Sequence, residues 1–173
     1  VAYLLIEVGD LRRQKGNEKE FTDRISRLDV ELRGDLFVFS DVQVDGMAIN
    51  VGGKIYVKGK IEARAGLVCS RCLTPFDIPV ETSFEETYYA LGSDDSSLDD
   101  AGQIYSGDHI DLGDAIIEGL ILALPMKMVC FPECEGLCPV CGCNLNVVHC
   151  DCSQKPLDPR LSGLSGLLKY MKD

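Results

Sequence analysis

Seven of the nine cysteines fall within residues 130–152, a stretch of 23 written CFPECEGLCPVCGCNLNVVHCDC. A stretch this rich in sulfur is short of the apolar side chains that order a chain by burial, so something other than a hydrophobic core has to fold it. At its centre, Cys138-Pro139-Val140-Cys141-Gly142 is a tight turn whose two thiolates point at one spot. Gly142 can take a positive φ without strain and lets backbone N–H groups approach the sulfurs. Cys150-Asp151-Cys152 supplies a second pair soon after. Cys138, Cys141, Cys150 and Cys152 therefore make a tetrahedral ligand set, with Cys134 as a substitute ligand. The competing readings are a disulfide framework and a redox pair. An odd number of cysteines and the dominance of CxxC spacing favour thiolates held by metal in a reducing compartment.

Outside that set stand Cys69, Cys72 and Cys130, which with Cys134 would complete a second four-thiolate site and leave only Cys143 over. The alternative is a single site in the C-terminal cluster, with Cys69 and Cys72 free or redox-active. A closed four-thiolate shell has no open position for water, so its role would be structural. Zn2+ is the expected ion, although sulfur ligands alone also suit iron. His149 adjoins Cys150 and could replace a cysteine, but reads better as a bystander; His109 lies in a polar stretch without an evident partner. Thioredoxin-like chemistry needs a CxxC opening a helix in a βαβ unit. Gly-Cys-Asn-Leu-Asn after Cys141 is a poor helix start. The chain carries no P-loop, GxGxxG or HExxH motif, and we expect no catalytic residues and no enzymatic activity.

With 173 residues, 46% of them apolar, the chain is long enough for one cored domain, or one domain with a small appendage. No run reaches the ~18 apolar residues of a membrane span, and no basic, then apolar, leader opens the sequence. The chain begins at Val1, which leaves a removed leader open. Formal net charge is −11, which argues against wholesale nucleic-acid binding. The charge is unevenly spread: residues 72–126 hold twelve Asp and Glu with no Lys or Arg, whereas residues 54–71 hold five basic residues against Glu62.

Hydrophobic periodicity predicts an α+β fold, an antiparallel β-meander packed against a buried helix. Residues 1–8 read as a short strand and 10–33 as a loop. Leu36, Val38, Val42 and Val44 fall on one strand face, Asp45-Gly46 signals a hairpin, and 47–51 make a short strand. Gly52-Gly53 is a second hairpin turn, followed by a long strand over 54–68 and another carrying Phe76, Ile78, Val80, Phe84 and Tyr88. The Ser/Asp/Gly-rich stretch 92–107 reads as an acidic loop. Asp111 can cap a buried helix over 112–124, stopped by Pro125. Asp158-Pro159 opens a short terminal helix with Leu161, Leu164, Leu168 and Met171 on one stripe. The expected organisation is a body over 1–129 and a cysteine-rich metal knuckle with its terminal helix over 130–173, docked on the body.

On the strand over 54–68, Lys54, Tyr56, Lys58, Lys60, Glu62 and Arg64 share one parity, and Ile55, Val57, Ile61, Ala63 and Leu67 the other. Lys54, Tyr56, Lys58, Lys60 and Arg64 are thus a candidate RNA-contacting face, with cations for phosphates and an aromatic ring for stacking. A plain solvated strand face has the same pattern.

Five segments together resemble the YceD family of large ribosomal RNA subunit accumulation proteins: CSRCLTPF (69–76), ILALPMKMVC (121–130), CEGLCPVCGCNLN (134–146), CDC (150–152) and DPRLSGL (158–164). The resemblance covers nearly the whole chain. It implies a role in accumulation or processing of large-subunit ribosomal RNA, hence in ribosome biogenesis, with pre-ribosomal particles as partners. It also implies a location in the bacterial cytoplasm, or in a plastid if a leader preceded Val1. Some members lack the C-terminal cysteines, which implies that the metal site supports the fold rather than the shared activity. Cys143 departs from the usual pattern, where that position is commonly not cysteine. The alternative partner is a basic ribosomal protein, held by the acidic 72–126 block in an adaptor role. A thiol redox enzyme is the remaining reading.

Overall fold

The computed structural model describes residues 4–32, 34–92 and 102–152. It divides into two compact units, Val1–Val68 with Pro75–Met128, and Cys69–Thr74 with Val129–Asp173. The expected terminal helix falls outside the described residues, as does most of the expected acidic loop, 93–101.

The first unit is mostly β. Strands β2 (Glu18–Leu32), β3 (Asp35–Asn50), β4 (Lys54–Val68) and β5 (Pro75–Ala90) run antiparallel in chain order, and β6 (Gln103–Tyr105) adds to β5 in parallel. A separate two-stranded sheet pairs β1 (Leu5–Glu7) with β7 (His109–Asp111). The described residues contain one α-helix, α1 (Gly113–Leu122). It packs Ala115, Ile116 and Leu120 into the core over β4 and β5. At Gly119 the helix packs directly on the sheet: a Cβ there would make ordinary van der Waals contact with Ile61 Cδ1 at 3.4 Å and Thr82 Cγ2 at 3.5 Å. The helix begins one residue later than expected and Leu112 is its cap position, but the Asp111 carboxylate still accepts the Gly113 N–H at 2.8 Å.

The long strand over 54–68 and its inward face match the period-two pattern, with Ile55, Val57, Ile61, Ala63, Ala65 and Leu67 buried. Gly52 and Gly53 form the β3–β4 turn at φ 95° and 84°, and the Asn50 side chain accepts the Gly52 N–H.

Three expectations are corrected. Most of the stretch read as a loop is ordered: after a 3-10 turn at Leu11–Arg13, β2 forms a 15-residue edge strand over Glu18–Leu32 along β3. Charged residues on both of its faces hide the alternation, a common way of blunting an exposed edge. Asp45-Gly46 is not a hairpin, because β3 continues through it and pairs Gly46 with both Phe21 and Gly59. Finally, Leu36 and Val38 do not share the face of Val42 and Val44. A bulge between Ser40 and Gln43, with Asp41 at φ 51°, switches parity, so Phe39, Val42 and Val44 are buried while Leu36 is exposed. Two smaller departures concern the stretch read as a loop and His109. Residues 103–105 are strand β6, and His109 is an exposed strand residue of β7.

Candidate metal centres and the charged strand face

All nine cysteines belong to the second unit and all are free thiols. The chain between Cys69 and Thr74 is a tight turn: Cys69 N–H donates to Thr74 O, Leu73 N–H donates to Cys69 O, and Leu73 adopts φ 58°. This brings Cys69 and Cys72 to one side, where they meet Cys130 and Cys134. Cys69 Sγ lies 3.8 Å from Cys134 Sγ, and Cys72 Sγ lies 3.6 Å from Cys130 Sγ. Arg71 ties the two segments together by donating Nη1 to the carbonyls of Pro132 and Cys134, while its own carbonyl accepts the Leu137 N–H. Gly136 sits at φ 80° against that carbonyl, where a Cβ would come within 3.1 Å. Asn146 Nδ2 donates to Cys134 Sγ at 3.4 Å.

The second group is built on a small hairpin. Cys138 N–H donates to Cys143 O, Gly142 N–H to Cys138 O and Leu145 N–H to Gly136 O, with Gly142 at φ 75°. Val140 N–H points at Cys138 Sγ, 3.4 Å away. Cys138, Cys141, Cys150 and Cys152 converge here.

Within each group of four, every sulfur lies within 4.8 Å of the others. A tetrahedron with metal–sulfur bonds of ~2.3 Å has edges of ~3.8 Å, so each group could hold a metal ion. The electrostatics suit that chemistry. Burial works against ionising Cys69, yet backbone hydrogen bonds from Cys72, Cys130 and Arg71 outweigh it and bring the thiol down to about 6. Backbone hydrogen bonds from Cys141 and Val140 bring Cys138 down to about 6 as well. Burial, then the neighbouring thiols of Cys69, Cys72 and Cys134, push Cys130 up to about 12. Cys152 is pushed up to about 12 chiefly by the Cys141 thiol and burial. Thiols that cannot all ionise together are a site that lacks positive charge, and a divalent ion supplies it.

Cys143 lies outside both groups of four. Its thiol touches Cys141 and Cys150, which, with burial, raise it to about 12. His149 is exposed, and neither histidine joins a metal-binding group among the described residues.

In the first unit, Lys54, Tyr56, Lys58, Lys60 and Arg64 all lie on the outward face of β4. Sequence reasoning missed their cross-strand neighbours. Asp45 of β3 stands opposite Lys60, and β5 sets Glu85 beside Lys58 and Glu81 beside Glu62 on the same face. Lys60 Nζ lies 2.9 Å from Glu62 Oε1 and 2.5 Å from Glu81 Oε1, and these hydrogen bonds raise its pKa. The Tyr56 hydroxyl bonds Glu85, and Lys54 Nζ stands 5.7 Å above the Tyr89 ring. The cations are interleaved with carboxylates rather than set in a basic stripe. The signal lay in β5 parity: with Phe76 and Ile78 inward, Asp77, Glu81 and Glu85 had to face outward.

Residues 57–168 match the family described as large ribosomal RNA subunit accumulation protein YceD. The chain belongs to the YceD family. It is 31% identical over 140 residues to the uncharacterized protein YlbN of Bacillus subtilis, covering 80% of this chain and 81% of that one. An uncharacterized Mycobacterium tuberculosis protein is 30% identical over 149 residues, 82% of this chain and 70% of its own. A Zea mays protein named large ribosomal RNA subunit accumulation protein YCED homolog 1, chloroplastic, is 36% identical over 80 residues, 45% of this chain and 27% of its own. No solved structure matches. Among the described residues, no helix is long and apolar enough to cross a membrane.

Proposed function

We propose that this YceD-family protein is a non-catalytic accessory factor for the accumulation of large-subunit ribosomal RNA, and that two four-cysteine zinc sites order its second unit. The pathway rests on family membership and on the name of the maize relative. The structural role of zinc rests on the convergence of Cys69, Cys72, Cys130 and Cys134, and of Cys138, Cys141, Cys150 and Cys152, with N–H donors turned to the sulfurs. Cells lacking the protein should accumulate less large-subunit than small-subunit ribosomal RNA, and the wild-type chain should restore the balance. Equal levels of the two RNAs in the deletion strain would sink the proposal.

A second reading concerns the partner, and one observation favours it: Asp45, Glu62, Glu81 and Glu85 are interleaved with the β4 cations, and Lys60 is held between Glu62 and Glu81, so the face is a mixed-charge surface rather than a basic stripe for a phosphate backbone. The acidic block fits a basic ribosomal protein better than bare RNA. Crosslinking in cells distinguishes the two. RNA crosslinks lost on Lys58→Glu and Arg64→Glu would favour the strand face, whereas a basic protein recovered without such dependence would favour the adaptor.

A further inference from the structure

The two groups of four thiols differ in ways that a shared structural role does not call for. In the group of Cys69, Cys72, Cys130 and Cys134, three thiols are buried and Cys130 is half-buried. In the group of Cys138, Cys141, Cys150 and Cys152, Cys138 is buried and Cys150 half-buried, while Cys141 and Cys152 are exposed. This second group also has a fifth sulfur beside it. The thiol of Cys143 touches Cys141 and Cys150, yet Cys143 is not one of the four. The other eight cysteines all belong to one group or the other, so the first group has no such neighbour.

The hairpin holds the spare sulfur in place. Cys138 N–H donates to Cys143 O at 2.8 Å, Gly142 N–H donates to Cys138 O at 2.9 Å, and Leu137 and Asn144 form an antiparallel bridge just outside them. Gly142, at φ 75°, makes the turn between Cys141 and Cys143, and a Cβ there would meet no atom within 4 Å. The turn between these two sulfurs is therefore open to a small solute. Peroxide oxidises an accessible thiolate to a sulfenic acid, and a neighbouring free thiol condenses with it to a disulfide. The sulfurs of a closed shell are tied to their ion, whereas Cys143 is free to take the second part.

We propose that Cys143 is a site of oxidative modification: it forms a disulfide with Cys141 or Cys150 when hydrogen peroxide reaches the second group, and so empties that group while the first stays intact. One ligand thiolate and the Cys143 thiol together give up two electrons, and one S–S bond forms. Hydrogen peroxide accepts the electrons and its O–O bond breaks. With the thiol proton and one proton from water, it leaves as two molecules of water. The step consumes its thiols and turns nothing over, which separates it from a thiol redox enzyme. Only its consequence, the release of metal, rests on the zinc reading above.

The test treats the full-length, zinc-loaded protein with hydrogen peroxide in steps. Released zinc is read with a chromogenic chelator, and disulfides are mapped by alkylation and mass spectrometry. The first phase should release about one zinc ion per chain. Its disulfide should contain Cys143, with Cys69, Cys72, Cys130 and Cys134 still reduced. A thiol reductant with added zinc should restore the original content. Cys143→Ser should release zinc at least about fivefold more slowly. Its oxidised ligands should carry more sulfinic acid, which the reductant does not reverse. Release from Cys143→Ser as fast as from the parent, a first disulfide without Cys143, or simultaneous loss from both groups would overturn the proposal. A purified chain without zinc would overturn the zinc reading instead, and the mapped disulfide would still decide the role of Cys143.

Discussion

Cys69 Sγ and Cys134 Sγ lie 3.8 Å apart although 65 residues separate them in the chain. That distance is the tetrahedral edge of a thiolate-bound metal, not a disulfide bond, and it divides the cysteines into two groups that can be emptied separately. The purified protein should carry two zinc ions. Cys69→Ser should retain one and Cys138→Ser the other, whereas Cys143→Ser should retain both. Elemental analysis together with native mass spectrometry reads the count directly. A loss of metal from Cys143→Ser would show that the ninth cysteine is a ligand and the grouping is wrong.

Proton release offers an independent check on how far the metal-free sites are preformed. Cys69 and Cys138, one in each group, are brought down to about 6, so both are largely ionised at pH 7 before metal arrives. A depressed thiol holds its anionic form above that value and loses it as pH falls through it. Zinc binding should therefore release fewer than four protons per site at pH 7 and approach four only well below pH 6, with weaker affinity there. Calorimetry in buffers of different ionisation enthalpy measures the number. Near-full release at pH 7 would mean that the metal-free thiols have the ordinary pKa of ~8.5 and no preformed N–H donors.

The pairs Cys69/Cys72 and Cys138/Cys141 are legible in the sequence because CxxC turns are local, whereas the sequence leaves open whether Cys130 and Cys134 join the distant Cys69–Cys72 turn, a contact across 65 residues. Strands β4 and β5 are legible for a similar reason: each keeps one parity from end to end, as Ile55 to Leu67 and Phe76 to Tyr88 show. Strand β3 is not, because the bulge at Asp41 reverses its faces halfway and makes Val38 and Val42 look like neighbours on one surface. Strand β2 is hidden by Lys19 and Asp23, charged residues paired across from Ala48 and Val44 on the core-facing side. Gly46 resembles a turn residue until its partners are known. Such features depend on pairing with another strand, which no local window contains.

Those partners make Gly46 a packing position. Phe21, Gly46, Gly59 and Phe84 stand in one row across four strands. A Cβ on Gly46 would lie 2.4 Å from Phe21 Cζ and 2.7 Å from Lys58 O, and one on Gly59 2.6 Å from Phe84 Cε1. The rings lean over the glycines and cover the backbone that a side chain would otherwise shield. Gly46→Ala should destabilise the first unit by about 1–3 kcal/mol through overpacking, despite the better strand propensity of alanine over glycine. Urea denaturation followed by far-UV circular dichroism measures this. A neutral or stabilised variant would show that the rings move aside freely and do not close the row.

Glu86 faces the core side of β5, where burial, and then the nearby charge of Glu118, raise its pKa. A carboxyl whose folded pKa lies above its unfolded value of ~4.3 weakens the fold where it is ionised and not where it is protonated in both states. The penalty is therefore absent below about pH 4 and grows as pH rises through the folded pKa. Glu86→Gln removes it without emptying the position. The variant should melt at a higher temperature than the parent at pH 7, and the difference should vanish at the acid end of the range. Melting curves for both proteins between pH 4 and 8 test the sign. A lower melting temperature for Glu86→Gln at pH 7 would mean that Glu86 is engaged as an anion, and the acidic pair with Glu118 would then be stabilised by a cation.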